Sequence, residues 1–435
     1  MHRFAGSQLS KWALFYRTLN HRLYICPMAN TPDITAQSNL LRASRFSELS
    51  GSAIGMGMLA AVVGFTASFA VVLQGLLAAG ATQAQATSGL VALTIGMGLS
   101  GIVLPLFYRI PVGVAWSLPG AALLVASGDT LSSVNAAIGA YVFSSVLLIV
   151  AGLFRPLGRL IEAIPTTLAN AMLAGVLLSL CLAPVHALAY DPYIAAPLLL
   201  TWWLVGRFNR FFAVPAALLA LVLLVWLRIG LPDDFDGQLQ ASLIPSLVWI
   251  PPVFELNALI SIGIPLFVVT MASQNVPGVA VLKASNYQPK AGPLITNTGL
   301  FSLAAAPFGA HAINLAAVTA AMFSSTEAHA NPQRRYWSAA FAGITYVVLG
   351  LLGGAAGLLV TLIPSVLVEA IAGLALLGAF SAAIVNALSD IRHREAAAIT
   401  FLFSGSGLAF FGIGAAFWGL MVGGVMYYVS SFGDK

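Results

Sequence analysis

The sequence predicts an all-α polytopic membrane protein, fourteen transmembrane segments in a 7+7 inverted repeat, with spans 3 and 10 broken by short extended segments. Three observations predict it. Hydrophobic residues make up 59% of the 435 and charged residues 8%, too few charges to coat a soluble globule of this length, so the solvent is lipid. Apolar stretches of about 20 residues, the length a helix needs to cross the hydrocarbon, recur from Gly51 to Ser431. The two halves of the chain also echo each other at an offset near 200 positions.

Residues 1–45 form a polar tail expected on the cytoplasmic side. Its first 27 residues scatter His2, Arg3, Lys11, Arg17, His21 and Arg22 among aromatics, without the apolar centre and cleavage site of a signal peptide. Met28 opens a more ordinary leader, so 1–27 are expected to derive from an upstream start codon. Apolar runs between charged or Pro/Gly joints then place spans at about 51–78, 86–107, 111–127, 133–153, 165–183, 193–206, 211–229, 254–280, 291–303, 305–323, 336–361, 365–387, 396–411 and 414–431. Pro156 to Ala163, with Arg159 and Glu162, reads as an amphipathic helix at the interface. The longest external loop, 231–253, holds Asp233, Asp234 and Asp236.

Charge tests this count, because cytoplasmic loops hold the excess of Lys and Arg. With the N-terminus inside, all of the 19 Lys and Arg except Arg228 fall on the cytoplasmic side. Both termini are therefore expected there, and the net charge of +5 reports orientation in lipid, with no nucleic-acid partner. Two cysteines, Cys26 and Cys181, exclude a disulfide framework.

The repeat rests on three matches in order. Ile164-Pro165-Thr166 recurs as Ile363-Pro364-Ser365, Pro111-Val112-Gly113 as Pro307-Phe308-Gly309, and Gln74 as Gln274. Each half has an odd number of spans, so the second enters the membrane with opposite polarity, a pattern typical of secondary transporters with a site at mid-bilayer.

Within the third span, Pro111 and Pro119-Gly120 interrupt the helix; within the tenth, Pro307-Phe308-Gly309 does so, with Asn314 expected as N-cap of the following helix. Each reads as an extended segment followed by a half-helix. These spans contain no Lys or Arg, so positive potential for an anion must come from two helix N-termini meeting head to head, each worth about half a charge. Ser117, Asn314 and the amides after Gly120 would add hydrogen bonds to one carboxylate. The alternative, prolines that merely kink two helices, is weaker for a matched pair than for a single span.

Other polar groups stand out against the apolar background. Gln274 and Asn275 in the eighth span either bind a ligand or tie helices together, and Gln74 gains interest from its match with Gln274. His311 is the one histidine inside a span, and either exchanges a proton or is a neutral ring satisfied by a backbone carbonyl. Glu369, near the start of the twelfth span, suits a gating role better than substrate contact. Phe65, Trp116 and Phe308 can stack on a flat ring, and Trp202, Trp203, Trp226 and Trp249 read as interfacial anchors. The candidate binding set is thus Phe65, Gln74, Ser117, Gly120, Gln274, Asn275, Phe308, Gly309, His311 and Asn314, with His311 also the candidate for proton coupling. Neither a metal nor a cofactor is expected.

Gly64-Phe65-Thr66-Ala67-Ser68, the segment from Tyr108 to Ala122, Ala272 to Gly278 and Ala306 to Ala316 together resemble the bacterial benzoate/proton symporter family. The resemblance covers about Phe46 to Ser431. It implies an inner-membrane symporter of benzoate or a related aromatic carboxylate, with lipid as its other partner and a homodimer as a compatible assembly. The family is similar in architecture to nucleobase and ascorbate transporters, which implies a core domain (46–154 and 254–361, spans one to four and eight to eleven) moving against a gate domain (155–230 and 362–435). Those relatives bind nucleobases with carboxylates in the eighth and tenth spans. Here the matching positions are Gln274 and either Ala310 or His311, which removes repulsion towards an anion. A nucleobase or other anion carrier on the same fold and an anion channel are the alternatives. An enzyme is disfavoured, because no metal-ligand cluster, nucleophile–base pair or phosphate loop lies in the spans.

Overall fold

The computed structural model describes residues 50–127, 131–154, 165–230, 232, 234–411 and 413–432. The N-terminal tail, with its start-codon reading, and the interfacial helix expected at 156–163 lie outside the described residues. Helices dominate because in lipid every backbone group must find its partner within the protein.

Helix α1 (Gly51–Thr66) opens on Ser50, whose hydroxyl accepts from the Ala53 amide at 3.2 Å. It stops at Ala67-Ser68 before α2 (Phe69–Ala78), so the span expected to be continuous is interrupted; Ser68 Oγ turns back to the Gly64 carbonyl at 2.6 Å. A full capping box of Thr82 and Gln85 starts α3 (Gln83–Tyr108), and Arg109, in the left-handed region at φ 54°, ends it. Strand β1 (Val114–Trp116) and α4 (Leu118–Ser127) follow, then α5 (Val134–Leu153), α6 (Thr166–Tyr190), α7 (Pro192–Phe208) and α8 (Arg210–Ile229). The loop expected on the external side carries an unexpected polar helix, α9 (Phe235–Ser242).

The second half begins with α10 (Leu256–Ala284), which contains π-helical turns at Leu259–Gly263 and Met271–Asn275. After α11 (Ala291–Ala305) and a 3₁₀ turn at Ala306–Phe308 come β2 (Ile313–Leu315) and the short α12 (Ala317–Phe323). Helices α13 (Tyr336–Leu351) and α14 (Gly353–Thr361) share one expected span, bent by 53° where Gly353-Gly354 weakens the helix. α15 (Ser365–Leu388) and α16 (Arg394–Gly405) follow. The thirteenth span, expected to run as helix to 411, instead ends at Gly405; Gly407 at φ 68° stops it, and the chain forms the hairpin β3 (Ala409–Phe410) and β4 (Ile413–Gly414) before α17 (Ala415–Phe432).

Among the described residues, six helical stretches, with α1 and α2 counted together as one, are long and apolar enough to cross a membrane, and the bent α13–α14 pair makes a seventh. This is a multi-pass membrane protein. In its packing α6 lies along α15, α3 along α13, α5 along α11, α1 against α13, α2 against α4, and the end of α10 against α12. Small residues allow such close crossings: a Cβ on Gly343 of α13 would lie 2.7 Å from the Gly98 carbonyl of α3.

Candidate functional site

The two broken spans meet as a pair of strands. β1 and β2 run antiparallel, with Val114 opposite Leu315, Ala115 opposite Asn314 and Trp116 opposite Ile313. Bonds from Ala316 N–H to Gly113 O (2.9 Å) and from Ser117 N–H to Ala312 O (3.0 Å) extend the ladder at either end. Each span thereby supplies the partners that extended backbone needs at membrane depth. The far edge of β2 is closed by side chains: Ile313 N–H donates to Ser302 Oγ at 2.8 Å and Leu315 N–H to Asn275 Oδ1 at 2.9 Å.

Asn314 therefore has a different job from the one expected. It lies inside β2, and Ala316 occupies the cap position of α12 with no side-chain bond, because two further residues separate Asn314 from the first helical turn. With its amide oriented to meet the surrounding acceptors, the side chain donates to Ala115 O at 2.9 Å and Leu315 O at 3.2 Å, locking the two strands together.

Ser117 caps α4. Its hydroxyl accepts from Gly120 N–H at 3.1 Å and its carbonyl from Ala121 N–H at 2.9 Å. Pro119 has no N–H, so of this first turn only the Leu118 amide stays open, and the amides expected to hold a ligand after Gly120 are spent inside the helix. The hydroxyl also bonds Thr270 Oγ1 of α10 at 3.0 Å. What the two half-helices keep is the positive end of each dipole.

His311 sits between these elements, fully buried. One ring nitrogen, Nε2, lies 2.9 Å from the Ser117 carbonyl. A carbonyl only accepts, so Nε2 carries the proton and Nδ1 presents a bare lone pair. Nδ1 finds no partner among the described residues. Tyr141 of α5 stands edge-on to the imidazole, ring centroids 6.4 Å apart, and its buried hydroxyl also lacks a partner among the described residues. Sequence reasoning passed over Tyr141. The available signal was the lone tyrosine of its span, three residues before the Ser144-Ser145 pair.

Of the polar pair on α10, Asn275 is fully buried and committed: besides the Leu315 bond, its Nδ2 lies 3.4 Å from Met271 Sδ. Gln274 is half-buried and makes no hydrogen bond among the described residues. The π-turn that separates their directions precedes Pro277, which has no N–H to return to the Ser273 carbonyl. Gln74 on α2 is buried and likewise makes no hydrogen bond among the described residues.

The aromatic candidates fall into two places. Phe65 stacks on Phe69 at 5.5 Å and tilts against Trp116 at 5.6 Å, while Trp116 Nε1–H donates to Ser68 Oγ at 3.1 Å. Phe308 instead meets Trp249 at 5.5 Å, where Ile250 N–H also donates to the Pro307 carbonyl at 2.7 Å. Gly309, at φ 98°, presses on α3: a Cβ there would lie 3.0 Å from Gly89 Cα. Gly120 is as confined, its Cβ position being 2.6 Å from Leu266 Cδ1.

A family model described as benzoate membrane transport protein matches residues 47–429. The chain belongs to this family. Its members are transporters rather than enzymes. Inner membrane protein YdcO of Escherichia coli (strain K12) is 40% identical over 374 residues, 86% of this chain and 94% of that one. The benzoate membrane transport protein of Acinetobacter baylyi (strain ATCC 33305 / BD413 / ADP1) is 31% identical over 374 residues, 86% of this chain and 93% of that one. Among solved structures, the transmembrane domain of a cyanobacterium bicarbonate transporter, BicA, superposes with a TM-score of 0.53 at 15% identity, covering 88% of this chain and 97% of that one. SLC26A9 superposes with a TM-score of 0.57 at 11% identity, covering 94% of this chain and 72% of that one. At such identities the likeness speaks for the fold alone.

Proposed function

We propose that this protein is a secondary active transporter of the bacterial inner membrane, importing benzoate or a similar aromatic carboxylate with a proton. The observation that carries the reading is the imidazole of His311, held by the Ser117 carbonyl with Nδ1 left as a buried acceptor that has no partner among the described residues. An acid O–H can donate to that nitrogen, and the proton can rest on the carboxylate or on the ring as the two move together. Phe65 and Trp116 offer a flat wall for the ring, the Gln274 and Gln74 amides offer donors, and the N-termini of α4 and α12 offer positive potential.

Transport proceeds in this reading by alternating access, the core (46–154 and 254–361) moving against the gate (155–230 and 362–435), with 231–253 as external loop. The packing supports fourteen spans in a 7+7 inverted repeat. Exchanging spans one to four with eight to eleven carries α3–α13 onto α11–α5, α1–α13 onto α10–α5 and α2–α4 onto α10–α12. Basic residues support cytoplasmic termini, and a relative named as an inner membrane protein supports the location. The fold neighbour named as a bicarbonate transporter favours a second reading, a carrier of inorganic anions.

Benzoate uptake into proteoliposomes, with and without an imposed pH gradient and referenced to protein-free liposomes, tests the proposal. Competition by sulfate, bicarbonate, uracil and substituted benzoates separates the two readings. His311→Ala is expected to abolish acceleration by the gradient while leaving equilibrium exchange; unchanged gradient dependence removes His311 from coupling.

A further inference from the structure

We propose that the crevice between α3, α5, α10 and α11 is a binding site for an anionic phospholipid. The open crevice has a volume of about 1250 Å³, above the range of about 300–1,000 Å³ that small-molecule sites span. Most of its wall is apolar, including Val103, Phe107, Leu153, Ile295 and Leu300. Phe107 and Leu153 are 76% and 71% exposed, so the crevice opens sideways, towards the hydrocarbon.

One end is different. Lys283, in the last turn of α10, and Lys290, at the threshold of α11, both line the crevice and are exposed. Among the described residues neither forms an ion pair and no acidic side chain lines the crevice. The link that carries them is anchored by Tyr287, whose hydroxyl donates to the Pro332 carbonyl at 2.9 Å. α11 starts beside Lys290 with no side-chain cap, which adds the positive end of its dipole to the two ammonium groups.

An occupant must match both ends: a long apolar body along the wall and a negative group between the lysines. A phospholipid with a net negative headgroup has that shape, and basic pockets between transmembrane helices suit such headgroups. Benzoate is far too small to fill the volume, and a soluble phosphate would leave the apolar wall unmatched. Met271 and Val276, which flank the Gln274-Asn275 turn, form the inner wall, so a bound acyl chain lies against the turn that supports β2.

The test uses the full chain in detergent, with native mass spectrometry after addition of phosphatidylglycerol, phosphatidylcholine of the same chains, or inorganic phosphate. Phosphatidylglycerol is expected to stay bound where phosphatidylcholine does not. Lys283→Gln with Lys290→Gln should weaken its binding roughly 30-fold. Ala280→Phe, which fills the crevice without changing charge, should abolish binding while the thermal melt shows a folded protein. Equal retention of phosphatidylcholine, undiminished binding to the double lysine variant, or displacement of the lipid by inorganic phosphate or benzoate overturns the proposal.

Discussion

Asn275 and Gln274 are neighbours of nearly the same chemistry, yet among the described residues the structure gives Asn275 a partner in Leu315 and Gln274 none, and that contrast can be measured. Asn275→Ala removes the acceptor 2.9 Å from the Leu315 amide. The amide is then stranded on the outer edge of β2, where α10 shields it from water. An orphaned buried donor costs about 1–3 kcal/mol. If that cost falls on local opening of β2, protection of the 313–316 amides drops by roughly 5- to 150-fold. Hydrogen–deuterium exchange of peptides covering 306–320 reads this directly. Gln274→Ala serves as the control, since its amide holds nothing in place: exchange should stay as in the parent while the benzoate KM rises. Unchanged protection in Asn275→Ala, or lost protection in Gln274→Ala, would refute the division of labour.

Tyr141→Phe removes a buried hydroxyl with no partner among the described residues, so the melting temperature without ligand should hold or rise, while benzoate KM rises about tenfold, the effect of losing one hydrogen bond of about 1.4 kcal/mol; an unchanged KM would take the hydroxyl out of the site. Ser68→Ala leaves the Trp116 indole N–H without its acceptor, and should lower stability by about 1–3 kcal/mol in a thermal melt, with Ser68→Thr restoring most of it. Gly89→Ala places a methyl 2.7 Å from the Gly309 carbonyl; because that neighbour is backbone, folded yield on size-exclusion chromatography should fall, with a cost of about 1–3 kcal/mol.

Much of this was legible because it was written in residue types that force backbone geometry. Pro111, Pro119-Gly120 and Pro307 announced two broken spans, and each resolved into an extended segment followed by a half-helix. The membrane class was equally plain from composition. What stayed hidden were departures from helix that leave no periodic mark in apolar sequence. The break at Ala67-Ser68 depends on Ser68 returning to Gly64 and meeting Trp116, a residue 48 positions away. Asn275 is fully buried and bonded to Leu315 while its neighbour Gln274 is half-buried, and no local pattern encodes that difference. Asn314 was misassigned because a short polar residue before a helix is ordinarily a cap. Here strand pairing with Ala115, far off in sequence, claimed it first.

The small sheet joining Val114–Trp116 to Ile313–Leu315 also shapes how the chain is made. A ribosome releases the first strand some two hundred residues before its mate exists. During that interval the nascent first half carries bare amides and carbonyls at a depth where water is absent. An insertase or chaperone shielding this segment until synthesis passes Leu315 would meet that need. A chain truncated ahead of that point should be cleared by quality-control proteases, however complete its early helices are.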